Sequence, residues 1–241
     1  MIAASTRNRA LSRGALVFLF VALALATPGF VAAPALRRVD ELGLMRVVVR
    51  ALSGVTLPLA GAALAVMVMA TESRLRRGVD LLVGAGLDPA RGARFLLLCA
   101  MVIAVGVGAP LGAATVLVLR GAARLGDSSI ALRDAAGTAW AAALGAAAWT
   151  ALAAAFIARS GRPSRALAVL IVDLPTRLLP GAAVWISPTT HLENLLGAPP
   201  PQSLVRVPIV PQLASALVLL VVAAVGARIT LGRYEGLRSA S

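Results

Sequence analysis

Residues Glu72 to Leu98 read ESRLRRGVDLLVGAGLDPARGARFLLL, and this stretch separates two long hydrophobic runs. Five arginines (Arg74, Arg76, Arg77, Arg91, Arg94) share it with three acids (Glu72, Asp80, Asp88). The apolar piece inside it, Val79 to Leu87, is too short to cross a bilayer, which takes about 20 residues. Leu75, Val79, Leu82 and Gly86 fall on one helical stripe, with Arg74, Arg77 and Asp80 off it. Asp88-Pro89 stops that helix and starts the next, because proline suits a first helical turn. Two readings fit: an amphipathic helix lying at the membrane face, or an arginine-rich loop that only fixes topology.

Working outward, six apolar segments are countable, at about 14–33, 51–70, 95–119, 135–158, 165–186 and 209–231. Each approaches the ~20 residues that span a hydrocarbon core. The 241-residue chain is 59% hydrophobic with mean hydropathy +0.90. Charged residues make up 14%, against roughly 25% in soluble domains, which excludes an ordinary soluble protein. No alternating ten-residue pattern with aromatic girdles marks a β-barrel. The expected fold is therefore an all-α integral membrane protein, one domain over 1–241, with six transmembrane helices.

The net charge of +13 rests on 23 arginines and no lysine. These arginines are dispersed in short loops, so they read as topology and contact with anionic lipid rather than as a nucleic-acid face. With both termini in the cytoplasm, 14 arginines lie inside and eight outside, and Arg177 falls within a span. The bias favours that orientation. The first segment has a rival reading, a signal peptide with a basic start at Arg7, Arg9 and Arg13 and a small-residue site at Val31-Ala32-Ala33. We take the uncleaved span, because the apolar run continues to Ala33. Arg37, Arg38, Asp40, Glu41, Arg46 and Arg50 then form either a short interfacial helix or a solvated loop.

The fifth segment is irregular. Asp173 and Arg177 are i, i+4 neighbours, so an ion pair along one helix face is allowed. Pro175 and Pro180-Gly181 interrupt the same stretch, and His191 to Gly197 form a second piece too short to span. The expected form is a broken helix followed by a re-entrant or surface-lying helix on the outer side, tolerated at depth only against protein or a cavity. Asp173 and Arg177 either line a substrate pathway or neutralise each other, since a lone charge at mid-bilayer costs at least ~2.5 kcal/mol. Trp149 lies mid-span and needs a partner for its N–H or a place at a cavity. Together with Trp185 and His191 these residues make the candidate pathway set. An interfacial histidine bonded to backbone is the plainer reading of His191.

Chemistry is otherwise sparse. A P-loop needs a lysine that this chain lacks. One histidine and one cysteine exclude most zinc sites, and no G-x-S-x-G nucleophile motif occurs. Cys99 reads as an inert residue of an apolar run. The chain is not expected to be an enzyme: no catalytic residue, metal site or bound cofactor is assigned.

Two motifs carry a resemblance. Glu72, Arg77, Gly78, Leu81, Leu82, Leu87 and Arg91 match an acid followed by R-R-G-x-x-x-L-L-x-x-x-L and x-x-P-x-R after a transmembrane run. Trp185, Ser187, Pro188, His191, Asn194, Leu195 and Gly197 match W-I-S-P-x-x-H-x-x-N-L-L-G between the fifth and sixth spans. Both, with the order of spans, resemble the ABC-2-type permeases, the membrane subunits of ATP-binding-cassette transporters. Val79 stands where that family often has threonine, and Gly86 where it often has proline. The resemblance implies a cytoplasmic coupling helix formed by Glu72, Arg74, Leu75, Arg77, Gly78, Val79, Leu82, Leu87 and Arg91. It implies a separate ATPase subunit that holds ATP and Mg, a second permease protomer, and export across the cytoplasmic (inner) membrane. The alternative is a proton-coupled secondary transporter using Asp173 and Arg177. A lipopolysaccharide-export permease is excluded, because the loop from Arg120 to Asp134 is too short for that family's β-domain.

Overall fold

The computed structural model describes residues 47–67, 89–123, 128–160, 163–177, 181–197 and 210–238, and they form helices with no strand among them. Helix α1 is Val47–Met67, α2 is Pro89–Ala123 and α3 is Ser128–Ser160. A 3-10 turn, Pro163–Leu167, leads directly into the short α4, Ala168–Thr176. A second 3-10 turn, Gly181–Ile186, precedes α5, Pro188–Leu195, and α6 is Gln212–Arg238. The first expected span, 14–33, lies outside the described residues.

Among the described residues four helices are long and apolar enough to cross a membrane: Val47–Met67, Leu97–Leu117, Leu132–Ser160 and Gln212–Gly232. Over its described residues the stretch 165–186, counted in the sequence as a span, holds two 3-10 turns and the nine-residue α4, so it is not one of these four continuous helices. Proline explains much of the break. Pro175 lacks an N–H, and its ring crowds the carbonyl four residues back, so a helix entering it ends within a turn.

Helix α3 is the spine. Within the bundle 78% of its apolar window is buried, against 28% for α2 and 33% for α6. Alanine makes this packing close: Ala141, Ala142, Ala146, Ala148, Ala151, Ala153 and Ala154 are all buried in one core with Trp149. Helix association in lipid gains little from hydrophobicity and depends on such close approach through small residues. Glycines mark the close approaches of α1, α2, α5 and α6 to α3. A Cβ at Gly108 of α2 would stand 2.8 Å from Ala142 O, and one at Gly112 would stand 2.7 Å from Thr138 O. Numbers rise along α2 as they fall along α3, so this pair is antiparallel. Gly61 of α1 sits on the Trp149 and Thr150 backbone, Gly226 of α6 on Ala151, and Gly145 of α3 receives Leu192 of α5.

The outward faces are apolar as well. Leu98, Val102 and Ile103 of α2 and Leu213, Leu217, Leu220 and Val221 of α6 are exposed. Such faces suit a hydrocarbon solvent. Buried hydroxyls bond back into their own helices, Thr150 to Ala146 O at 2.8 Å and Thr230 to Gly226 O at 2.8 Å. No water is needed to satisfy them.

Helix α1 departs from α geometry at Leu52–Thr56, a π-turn. The cause lies at Pro58, which cannot donate and whose ring would press on the Gly54 carbonyl. Widening the preceding turn relieves that contact, and the Leu57 N–H donates to Leu52 O, five residues back.

Glycine placement gives a direct test. Gly108→Val is expected to force α2 from α3 and to cost about 1–3 kcal/mol. Gly137, beside which a Cβ meets nothing within 4 Å, should accept alanine with a gain of up to about 1 kcal/mol. Thermal unfolding of the purified variants in detergent measures both.

Candidate functional site

The polar residues of the apolar bundle converge where α4, α5, the start of α6 and the π-turn of α1 meet. Asp173, on the last turn of α4, is only 6% exposed. Its Oδ1 accepts the Ser187 hydroxyl at 2.6 Å and its Oδ2 accepts the Thr189 hydroxyl at 2.7 Å. Arg177 Nε stands 3.1 Å from Oδ2, yet neither Nε–H nor Nη2–H is aligned with an acceptor. Arg177 therefore pairs by charge, while the two hydroxyls supply the directed bonds.

Local chemistry explains the spelling S-P-T-T-H. Ser187 is the N-cap of α5, with extended backbone (φ −73°, ψ 124°), and Pro188 takes the first helical position. Its Oγ accepts from the Thr190 N–H at 3.4 Å while its own proton goes to Asp173. Capping and clasping thus use the two sides of one hydroxyl. Thr189, next on the helix, points the second hydroxyl at the same carboxylate.

His191 fastens the opposite face of α5. Its Nε2 lies 2.7 Å from the Trp185 carbonyl, which only accepts, so Nε2 carries the proton. Nδ1 then accepts the Ser215 hydroxyl at 3.1 Å. Asn194 Nδ2 donates to Ser215 Oγ at 2.9 Å and to Val210 O at 2.9 Å. Every donor in this chain has an acceptor only if the imidazole is neutral. Burial accordingly pushes the His191 pKa down, partly offset by the bond to the Trp185 carbonyl. The Trp185 ring lies 5.2 Å from the imidazole, tilted at 45°.

Glu193, with a 13% exposed side chain, points from α5 toward α1. Ser53 Oγ is 3.4 Å from its Oε1 and Arg177 Nη2 is 3.9 Å from the same atom. Gly54 lies under the guanidinium, where a Cβ would come within 2.8 Å of Nη1.

Of the five candidate pathway residues, Asp173 and Arg177 form one cluster, and Trp185, on the turn Gly181–Ile186, is joined to His191 of α5 in a second. Trp149 stands on α3 against Gly61, fully buried, and its indole N–H has no partner among the described residues. Glu72, Arg74, Leu75, Arg77, Gly78, Val79, Leu82 and Leu87 lie outside the described residues, and Arg91 falls on the first turns of α2. Cys99 is half-buried. Among the described residues no three of His, Cys, Asp and Glu converge as metal ligands would. Sequence reasoning missed Ser53, Gly54, Thr189, Glu193 and Ser215. A signal existed for some: Ser-Gly just ahead of a proline marks a distorted helix, and Glu193 is an acid in a piece between two spans.

The arrangement defines a class, a polytopic α-helical membrane protein with a short, polar-clasped, non-spanning segment between its later helices. Comparison with protein-family models, with curated proteins and with solved structures gives no match.

Two outcomes follow from this geometry. Asp173→Asn cannot accept from both hydroxyls and balance Arg177, so it should cost about 2 kcal/mol or more in thermal unfolding. His191 holds a proton less readily folded than unfolded, so its contribution is present above the unfolded value near 6.5 and is lost as pH falls below it. The difference in melting temperature between wild type and His191→Gln should therefore shrink on acidification from about pH 7.5 to about pH 5.5.

Proposed function

We propose that this chain is the membrane-spanning permease subunit of an ATP-binding-cassette exporter of the ABC-2 type. One observation carries the reading: a W-I-S-P-x-x-H-x-x-N segment between apolar passages whose Ser187, His191 and Asn194 each hold a defined bond. The motif is thus a built object, not a chance string. The bundle of long apolar helices supports the same reading.

On this account the chain has six spans, those at 14–33 and 165–186 completing the four apolar helices described above. Segment 187–197 then enters the membrane from the outer side and turns back. Leu192 seated on Gly145, midway along α3, supports that depth. The helix around Arg74–Leu87 lies in the cytoplasm and docks in a groove of a separate ATPase subunit that binds ATP and Mg. Leu75, Val79 and Leu82 would be buried there, with Arg74 and Arg77 at the rim. A second permease protomer, identical or related, completes the pathway, and closure of the ATPases rocks the spans. Both termini lie in the cytoplasm and the membrane is the cytoplasmic (inner) one. The proton-relay alternative built on Asp173 is less well supported, because both of its carboxylate oxygens are already engaged.

Leu82→Asp puts a charge into the docking face. It should abolish copurification with the ATPase, or transport driven by it, while the ATPase still hydrolyses ATP. Normal pumping by Leu82→Asp would overturn the coupling role.

A further inference from the structure

Helix α5 is not fastened equally on its three sides. Toward α4, Asp173 accepts hydroxyls at 2.6 and 2.7 Å. Toward α6, the His191 and Asn194 bonds to Ser215 are 3.1 and 2.9 Å. Toward α1 the contact is longer, 3.4 Å from Ser53 Oγ to Glu193 Oε1, and Arg177 Nη2, just past α4, stands 3.9 Å from the same oxygen. The Ser53 proton is already committed to Val49 O at 2.8 Å. Arg177 in turn is closer to Asp173, at 3.1 Å. An ionised Glu193 would thus be largely out of water with an occupied hydroxyl and a shared cation. Such a carboxylate is poorly compensated, whereas a neutral carboxyl at the same place carries no charge to compensate.

On the α1 side stands Gly54, inside the π-turn, with the Arg177 guanidinium lying where a side chain would be. No side chain at Gly54 interlocks the two bodies, and π-turns recur where helices serve function.

We infer that Glu193 is a proton-binding site at the seam between α1 and α5, and that a bound proton favours the closed seam. The charged groups facing it are Arg50 of α1, Arg177 just past α4 and Asp173 of α4, with Ser53 the hydroxyl of α1. His191 is the other titratable group of its own helix. Burial raises the Glu193 pKa, outweighing the pull of Arg177, Arg50 and Ser53, and Asp173 adds to the rise. Opening the seam would return the carboxyl to water and to ordinary acidity. The closed form therefore holds the proton more tightly, and by linkage acid closes the seam while alkali opens it. The only species exchanged is a proton with the adjoining water. This inference goes beyond the permease reading and does not depend on it, since it needs only α1, α4 and α5 as placed.

Hydrogen exchange of the purified full chain in detergent tests it, followed in peptides covering the π-turn and corrected for base-catalysed intrinsic rates. Between about pH 4.5, the ordinary value for a glutamate, and about pH 8 the wild type should lose protection there by about fivefold or more. Glu193→Gln, permanently neutral, should stay protected across the range. A flat wild-type profile overturns the inference whatever the variant's yield. The same loss in Glu193→Gln places the proton on another group, such as His191, and overturns it too.

Discussion

The structure depends on the Asp173 carboxylate and the three groups that hold it. A charge inside an apolar bundle is tolerated only when its partners are fixed in place. Here two hydroxyls, from Ser187 and Thr189, and one guanidinium, from Arg177, meet that demand. In doing so they tie the end of α4 to the start of α5. A helix of eight residues has little stability of its own. Held by Asp173 on one side and by Ser215 on the other, α5 becomes a rigid element, and Leu192 adds its fit over Gly145.

The alanine-rich spine makes this possible. Because α3 presents alanine and glycine to its neighbours, backbones approach closely and van der Waals contact replaces the hydrophobic drive that lipid removes. Large side chains sit on the outer faces of α2 and α6 instead. Among the described residues the polar side chains that bond from one element to another gather in one region, at the junction of α1, α4, α5 and α6. That gathering gives a charged cluster in a membrane protein its meaning, whether it serves as a clasp or as a titrating seam.

Much of this was legible in the sequence. Apolar runs of the right length marked α1, α2, α3 and α6, although α2 and α3 extend past those runs into polar residues that helical backbone tolerates. Pro175 and Pro180-Gly181 announced the broken passage, and the i, i+4 spacing announced the Asp173–Arg177 pair. What could not be read was the clasp. Ser187 and Thr189 reach Asp173 across 14 and 16 residues and two changes of helix type, and no local periodicity encodes such a return. Pro58 was visible, but its consequence, a π-turn that sets Gly54 beneath Arg177, follows only from the packed helices. Glu193 carried no signal of its contact with α1 in the sequence, because the Ser53 side of α1 that meets it lies 140 residues away. The arginine-rich linker 72–88 carries the resemblance to a transporter subunit, and it lies outside the described residues.

The central claim is that the clasp sits at bilayer depth, where the broken fifth passage meets the re-entrant piece proposed for 187–197. Ile186, 67% exposed beside Ser187, and Leu174, 59% exposed beside Asp173, report on it directly. Nitroxides placed at these positions, in a Cys99→Ala background in lipid vesicles, can be relaxed by oxygen from the lipid or by a nickel chelate from the water. The account predicts that oxygen dominates at both sites. Relaxation dominated by the nickel chelate, as at a water-facing loop, would contradict it.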